Sequence, residues 1–494
     1  MKRYILGRVI RSFVSIFILM TIVMSLVYLA IPKDRVFDMD TTLNKLANNP
    51  DLLTDYMNVR YEDLGYLDYV TQNEMCKLSD KPRDCAKANS SEAESLAQSL
   101  SNKGYTVNKN SQGYFYATRD YNPLELVLGF YQRLIQIDHP NNVYDMDNLD
   151  MNRSVYIGSD HNGMPAVMCS GCKHKYLLYV DGNFPFIHQN FIKLNLGVSF
   201  PAFQGVPVLD VIGMGQGELD IKPTTFPTGN VYEAANNLHS AKYKLTSLLD
   251  KLDRNKFVDN YADTINNYTS PSMLGVSFMF NILSLLVSYM IAIPAGILMA
   301  RSKGKLFDKI GITYINILIA VPSLAFIFFI KDIGNSLFGL PDKFPLYGFS
   351  DIRSFVLPVF ILGLLGTAGL MIWIRRYMID QSNSDYVKFA RAKGLSEKEI
   401  FSRHVFRNAI IPFANGFPAS IILAISGSVI TETMFAIPGM GKMFPDAISQ
   451  HNNSMVIALT FIFTSLSIIS LLLGDILMIA VDPRIQLNAK GDAR

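Results

Sequence analysis

Residues Asp385–Pro412 read "DYVKFARAKGLSEKEIFSRHVFRNAIIP" and divide at Gly394 into two amphipathic pieces. Before the glycine, the spacing predicts a short helix over Asp385–Lys393, with Asp385 as its N-cap. Tyr386, Phe389, Ala390 and Lys393 recur there at intervals of three and four, on one side. Ala390 and Ala392 keep this helix slim, so that another protein's surface can approach closely. Gly394 supplies the left-handed residue that ends a helix. Leu395 follows, and Ser396 with Glu399 forms an S-x-x-E capping box that starts the next helix. In that helix Ile400, Phe401, His404, Val405 and Asn408 share a face. Two amphipathic helices hinged at a glycine suit a docking element. An amphipathic loop lying on a membrane without a partner is the competing reading, and these residues alone leave both open.

On either side of this loop the chain is apolar. Of 494 residues 49% are hydrophobic and only 18% charged, against about 25% charged in average globular chains. Six windows are long and almost free of charge: Ser12–Pro32, Thr264–Ala300, Ile310–Ile330, Ser354–Ile374, Asn408–Thr431 and Ala447–Gly474. Each has the roughly 20 residues that a helix needs to cross a hydrocarbon core. The apolar part of the second begins near Met273, and the sixth is expected to run past Asp475 to Ala480. A signal peptide is the rival for the first window. Its apolar stretch exceeds the usual ~7–15 residues and no small-x-small site follows, so it reads as a retained helix. The expectation is an α-helical polytopic membrane protein with six transmembrane helices.

Basic flanks orient the spans. Arg301, Lys303, Lys305 and Lys309 cluster after the second window, and Arg375, Arg376, Lys388, Arg391, Lys393, Lys398, Arg403 and Arg407 after the fourth. Arg484, Lys490 and Arg494 follow the sixth. The opposite connections hold only Lys331, Lys343, Arg353 and Lys442. Both termini are therefore expected in the cytoplasm and residues 33–270 outside. Residues 32–270 carry 22 basic and 29 acidic residues, a net of −7, and the rest carries +10. This topology explains the basic remainder better than nucleic-acid binding does. The divisions expected are residues 1–32 with the first span, an extracellular domain at 33–270, spans two to six over 271–482 with the loop 375–408, and a cytoplasmic tail at 483–494.

The polar block is too rich in aromatic and branched residues to be a linker. Residues 40–135 mix helical-looking stretches with turns. From Ser154 to Ile212, short apolar runs ("SVYIG", "KYLLYVDG", "PVLDVIG") alternate with turn residues and read as strands, while 229–260 looks helical. An α+β domain between helices 1 and 2 is the result. Its Cys76, Cys85, Cys169 and Cys172 are an even set confined to one side, which favours disulfides. The local pairs Cys76–Cys85 and Cys169–Cys172 are preferred among three pairings. The rival is a metal site, since "CSGCKH" offers Cys169, Cys172 and His174, with His161 nearby; a second close Cys/His pair is missing, and no metal is expected. "GMGQGE" has the wrong spacing for a dinucleotide loop and reads as a turn. The sequence holds no phosphate loop, nucleophile elbow or HExxH motif, so catalytic residues are not expected.

The loop at 385–412 resembles the one that marks permease subunits of ABC importers, in the form typical of the oligopeptide/dipeptide/nickel branch. Four other segments agree in order: "RYILGRVIRSFVSI" with that branch's first helix, and "NLGVSFPAFQGVPVLDVI" with the stretch before its second. "TETMFAIPGMGKM" resembles its "ETVFxxPGLG" stretch after the fifth, and "GDILMIAVDPRIQL" its C-terminal "D…DPRIR". Together with spans two to six, the likeness covers about 275 of 494 residues. Three departures stand out: "IPKD" replaces the usual "PGDP", Phe389 occupies the place of the motif's usual Glu, and insertions fall over roughly 33–190 and 213–265. The enlarged outer domain is similar to that of the first permease subunit of streptococcal oligopeptide importers.

The resemblance implies a permease subunit that forms half of a translocation path for oligopeptides. A dipeptide, nickel complex or oligosaccharide is the alternative cargo. Implied partners are a second homologous permease, two ATPase subunits, an extracellular peptide-binding lipoprotein and the bilayer of a bacterial plasma membrane. ATP and Mg would bind at the ATPases and no cofactor on this chain. Asp385, Tyr386, Phe389, Ala390, Ala392, Gly394, Leu395, Ser396 and Glu399 would fit a cleft on one ATPase. The outer domain would form part of the receptor-docking surface. The competing class is a membrane-anchored receptor or exported enzyme, for which six spans and an elaborate loop are excessive. Asp475 lies just past the last charge-free window but inside the last span, about seven residues before Asp482, where a carboxylate is costly. It is expected either to pair within the bundle or to reach the interface.

Overall fold

Proline and glycine decide how the six apolar windows fold. In a computed structural model, which describes residues 2–77, 82–145, 147–182, 186–409 and 411–481, four windows are single long helices. Their apolar spans are Leu6–Ala30, Met273–Arg301, Arg353–Ser382 and Asn453–Leu477. The other two are bent pairs: Leu306–Ala320 with Ser323–Phe338, at 107°, and Gly416–Ser426 with Val429–Phe435, at 41°. The sequence reads as one transmembrane helix at each of these places. At the first, Pro322 has no N–H to give and its ring pushes Val321 out of the helical region, to φ −79° and ψ 126°. At the second, Gly427 takes φ 78° and ψ 178°, which a helix cannot contain. The expected start near Met273 holds, with the Ser272 side chain accepting the Gly275 N–H as N-cap. The last helix runs from Asn453 to Val481, past Asp475. Asp482 and the tail 483–494 lie outside the described residues.

The described chain divides into two units. Residues 2–23, 272–449 and 456–481 form one, and residues 24–271 with 450–455 the other. In the helical unit, Met273–Arg301 packs along Arg353–Ser382 through small residues. A Cβ on Gly363 would lie 2.7 Å from Val287 Cγ1, and one on Gly296 2.8 Å from Ile374. Ser288 Oγ donates to the Gly363 carbonyl at 2.6 Å. Close backbone approach of this kind replaces the hydrophobic drive that two helices lack in lipid.

The second unit is α+β. A three-stranded antiparallel sheet orders Leu67–Thr71, Phe115–Asp120 and Thr106–Lys109, with helices Pro50–Asp63 and Ser91–Ser101 in the same region. An antiparallel meander of Ser154–Ser159, Pro165–Ser170, Tyr176–Val180 and Ile187–Gln189 follows. Asn236–Tyr243 pairs with Tyr261–Asn266. Asn452 and Asn453 belong to this unit: Asn452 Nδ2 donates to Ser199 Oγ at 2.9 Å and Asn453 Nδ2 to the Tyr66 hydroxyl at 2.7 Å.

Three local expectations are corrected here. Residues 229–260 are not helical but form strands Val231–Ala234 and Asn236–Tyr243, with a helix only at Lys251–Lys256. Pairing with Tyr261–Asn266 and burial of Leu238, His239 and Ala241 override a helix-like local composition. "PVLDVIG" is a helix, Val208–Gly213, whose Val208, Val211 and Ile212 are buried at three- and four-residue spacing. "GMGQGE" contributes a strand, Gly215–Leu219, beside Tyr268–Ser272. Its glycine serves close approach, since a Cβ on Gly215 would stand 2.6 Å from Tyr268 Cβ.

Cys76 is bonded to Cys85 and Cys169 to Cys172, with Cα separations of 5.6 and 5.7 Å. The metal reading of "CSGCKH" is thereby closed, because both thiols are used and His174 turns to Asp138. Asp138 Oδ2 lies 3.0 Å from His174 Nδ1, and its oxygens also accept the backbone N–H groups of Lys173 and His174, each at 2.8 Å. Burial pushes His174 below its ordinary 6.5. Burial works to raise Asp138, but the hydrogen bonds from His174 and these N–H groups outweigh it and hold the carboxyl below its usual range. Both folded values are depressed, so the unfolded chain takes up protons first as pH falls, and stability drains below about pH 6.5. Hydrogen exchange over residues 138–176, corrected for intrinsic rates, should therefore quicken between pH 7.5 and 5.5. Equal protection at both values would contradict this.

Candidate functional site

The loop after Arg353–Ser382 is folded against its own chain. Helix Asp385–Ala392 is followed by a helical run from Glu397 to Ala409 whose middle, Ile400–Phe406, is π-helical. Ile374, Met378, Val387, Ala390, Ile400, Val405 and Ala409 form one buried cluster, with Ile293 and Ile297 of Met273–Arg301 packed on it. The π-turn explains why Ile400 and Val405, five residues apart, are both 1% exposed. An α-helix would have rotated them apart, and single π-turns are frequent at functional sites.

Several sequence expectations change in this loop. Ala390 does not share the outward face; with Val387, which sequence reasoning passed over, it points into the cluster. Asp385, Tyr386, Phe389, Ala392, Lys393, Gly394 and Ser396 are exposed, as are Lys388, Arg391, Glu397 and Lys398, and Leu395 and Glu399 are half-buried. The N-cap is Ser384, not Asp385, which stands at the first helical position and pairs with Lys388 at 2.9 Å. Gly394 has φ 79°, and among the described residues no atom beyond its own chain neighbours lies within 4 Å of where a Cβ would sit. Its conformation, not its surroundings, requires glycine. Ser396 Oγ accepts the Glu399 N–H at 3.3 Å, but Glu399 turns to Arg403 at 3.0 Å, leaving half a capping box. Arg391 closes the hinge from one side, with Nε 2.6 Å and Nη2 3.2 Å from the two oxygens of Glu397.

Two polar constellations that sequence reasoning missed brace the helical unit. Asp308, 1% exposed, takes a two-pronged contact from Arg375, Nε to Oδ1 at 2.6 Å and Nη2 to Oδ2 at 2.9 Å, and accepts the Gly304 N–H at 2.8 Å. The available signal was a single acid among Arg301, Lys303, Lys305 and Lys309. Glu432, also 1% exposed, accepts from Ser277 Oγ at 2.8 Å, the Ser428 N–H at 3.1 Å and the Lys442 N–H at 3.0 Å. Gly427, Gly439 and Gly441 crowd its carboxylate. The signal there was one acid just beyond the fifth apolar window, ahead of a glycine-rich stretch. Asp475 is paired with Arg8 of the first helix.

The helical unit also has a half-open apolar cavity of about 570 Å³, lined by Ile282, Leu286, Tyr289, Phe406, Phe417 and Leu477 among others. Phe406 comes from the end of the π-helical turn, so the cavity wall and the loop cluster share an element.

A family model described as the binding-protein-dependent transport system inner membrane component matches residues 292–487, which hold the loop, the Glu432 turn and the part of the cavity wall that follows Tyr289. The oligopeptide transport system permease protein AmiC of Streptococcus pneumoniae is 43% identical over 501 aligned residues, covering 99% of this chain and all of the relative. Oligopeptide permease AppB of Bacillus subtilis is 33% identical over 42% of this chain and 69% of its own length. Dipeptide permease DppB of Lactococcus lactis is 32% identical over 43% and 70%. With a relative of that identity matching from end to end, this chain belongs to the family of binding-protein-dependent transport permeases, polytopic helical proteins of the membrane.

Proposed function

We propose that this chain is the transmembrane permease subunit of an ATP-driven oligopeptide importer, providing half of the translocation path. The observation that carries the substrate class is the 43% identity to an oligopeptide permease across the whole chain, the polar block included. In this reading each bent pair is one span, giving six, with both termini in the cytoplasm and residues 33–270 as an extracellular domain that helps to dock the receptor. The chain itself catalyses nothing and takes no part in binding ATP. ATP and Mg belong to two ATPase partners, and a second permease completes the path. A peptide-binding lipoprotein delivers the cargo. The apolar cavity supports this use, since weak apolar contact accepts many side chains without holding any tightly. The test is a deletion of this chain's gene, with uptake of labelled oligopeptides and co-purification on the tagged full chain. Lost peptide uptake and co-eluting ATPases are expected; unchanged peptide uptake with loss of another solute would overturn the reading.

The exposed residues Asp385, Tyr386, Phe389, Ala392, Gly394 and Ser396 would meet the ATPase, with Leu395 and Glu399 shaping the hinge. Ala390 would act from inside, holding the helix on its cluster. Closure of the ATPases would then move Ile374 and Met378 through that cluster and bias a two-state path. Gly394→Val should cost about 1–2 kcal/mol locally, because a β-branched residue resists φ 79°. Phe389→Ala should leave the fold intact, since the ring is exposed. Both should lower uptake at least tenfold at normal membrane levels, with ATPase recovery reduced, whereas Ala390→Glu should reduce the folded protein itself. Normal uptake in the first two variants would remove the loop from coupling.

A further inference from the structure

In the α+β unit, the turn between strands Ser154–Ser159 and Pro165–Ser170 carries Asp160 and His161 to His239 in strand Asn236–Tyr243. One ligand-type atom from each of the three lies within 4.8 Å of the other two. Two of the groups are rigid. The Asp160 side chain is fully buried and that of His239 only 5% exposed. Asp160 Oδ1 is held by the N–H groups of Asn162 and Met164 at 2.9 and 2.8 Å, which aims Oδ2 at His239 Nε2, 2.6 Å away. The His239 ring stacks on Tyr179, with centroids 4.3 Å apart and planes 12° from parallel, and meets the edge of Tyr176. The third group is open. His161 is exposed, its ring centroid is 4.1 Å from that of His239, and among the described residues neither of its ring nitrogens has a hydrogen-bond partner.

We propose that Asp160, His161 and His239 form a binding site for a divalent transition-metal cation of the zinc(II) type, with two imidazole nitrogens and one carboxylate oxygen as ligands and a further position left to water. Two nitrogens and one oxygen suit zinc and its neighbours, while a single carboxylate is too few oxygens for calcium. Metal–ligand bonds of about 2.0–2.2 Å put tetrahedral ligand atoms about 3.3 Å apart. The Asp160–His239 contact then has to open by less than about 1 Å, the cation taking the place of the proton they share and releasing it. His161, on an exposed turn, needs only to swing its ring inward. Stacking and backbone hydrogen bonds hold the other two ligands in advance, the kind of outer support that metal sites use. The cation would clip a hairpin turn to a strand more than 70 residues away in the chain. The bland account is a buried Asp–His pin beside which His161 is incidental, and it requires that changing His161 leave metal binding untouched.

The test uses the full chain in detergent, purified on a tag without histidines, stripped with chelator and titrated with zinc chloride. Bound metal is counted after desalting, and hydrogen exchange is followed at residues 154–170 and 236–243. One equivalent of zinc per chain is expected, with slower exchange in both segments when it is bound. His161→Ala should weaken zinc binding at least tenfold and leave exchange of the metal-free protein unchanged. Asp160→Asn should also weaken binding, with loosening of the turn. Less than a tenth of an equivalent in the unaltered chain, or equal affinity in His161→Ala, overturns the site.

Discussion

Glu432→Ala is expected to dismantle the turn that joins Val429–Phe435 to Met440–Ser449, and with it the folded helical unit. The substitution strands the Ser277 hydroxyl and the N–H groups of Ser428 and Lys442, all of which point at the lost carboxylate. A buried donor without an acceptor costs about 1–3 kcal/mol, so three of them put the loss on the order of 3–9 kcal/mol. That is comparable with the whole stability of many domains. Glu432→Gln keeps one acceptor oxygen but turns an NH2 group toward an N–H, and should fall between. Gly439→Ala should imitate the lesion from the other side, because its Cβ would stand 2.3 Å from Glu432 Oε2. Thermal unfolding in detergent and the amount of protein in the membrane measure all three. An unchanged transition for Glu432→Ala would show that water supplies what the carboxylate does.

Asp308→Ala should be nearly as damaging, by a different mechanism. It leaves Arg375, whose side chain is 26% exposed against 2% for Asp308, with its charge turned toward an emptied apolar contact. Breaking one partner out of a buried pair costs about 3–5 kcal/mol, and the partial exposure of Arg375 places this case at the lower end. Removing both charges is less harmful than removing one, so the double variant Asp308→Leu/Arg375→Leu should recover much of the loss. If the double variant is no better than Asp308→Ala, the pair serves geometry, fixing the start of Leu306–Ala320 against the end of Arg353–Ser382, and not charge compensation. Uptake measurements on the double variant would then show whether that geometry also matters to the loop that follows.

Features that depend on neighbours in the chain are legible from the residues alone. Charge-free length marks the membrane windows, and the last helix does run beyond Asp475. Gly394 is legible as a left-handed hinge because only glycine takes φ 79° without strain, whatever surrounds it. The match of five ordered segments to one permease branch is also a property of the sequence. The bends are half visible: Pro322 stands in the third window, yet nothing local sets its angle at 107° rather than a slight kink.

Direction of burial is not legible, because it depends on what arrives from elsewhere. Spacing puts Ala390 on a face with Tyr386 and Phe389, but an amphipathic helix of eight residues can turn either side inward. Ile374 and Met378, together with a π-turn that aligns Ile400 with Val405, decide for Val387 and Ala390. Residues 236–243 become a strand because Tyr261–Asn266 lies beside them. Asp308 meets Arg375 across 67 residues, and Glu432 meets Ser277 across 155. Asp160 and His161 meet His239 only through the packing of a hairpin against a strand. A sequence by itself determines period, chain stiffness and allowed backbone angles, since these act over one or two helical turns. Which polar groups share a buried space is decided by tertiary structure, because the cost of an unpaired charge or donor arises only where water has been excluded.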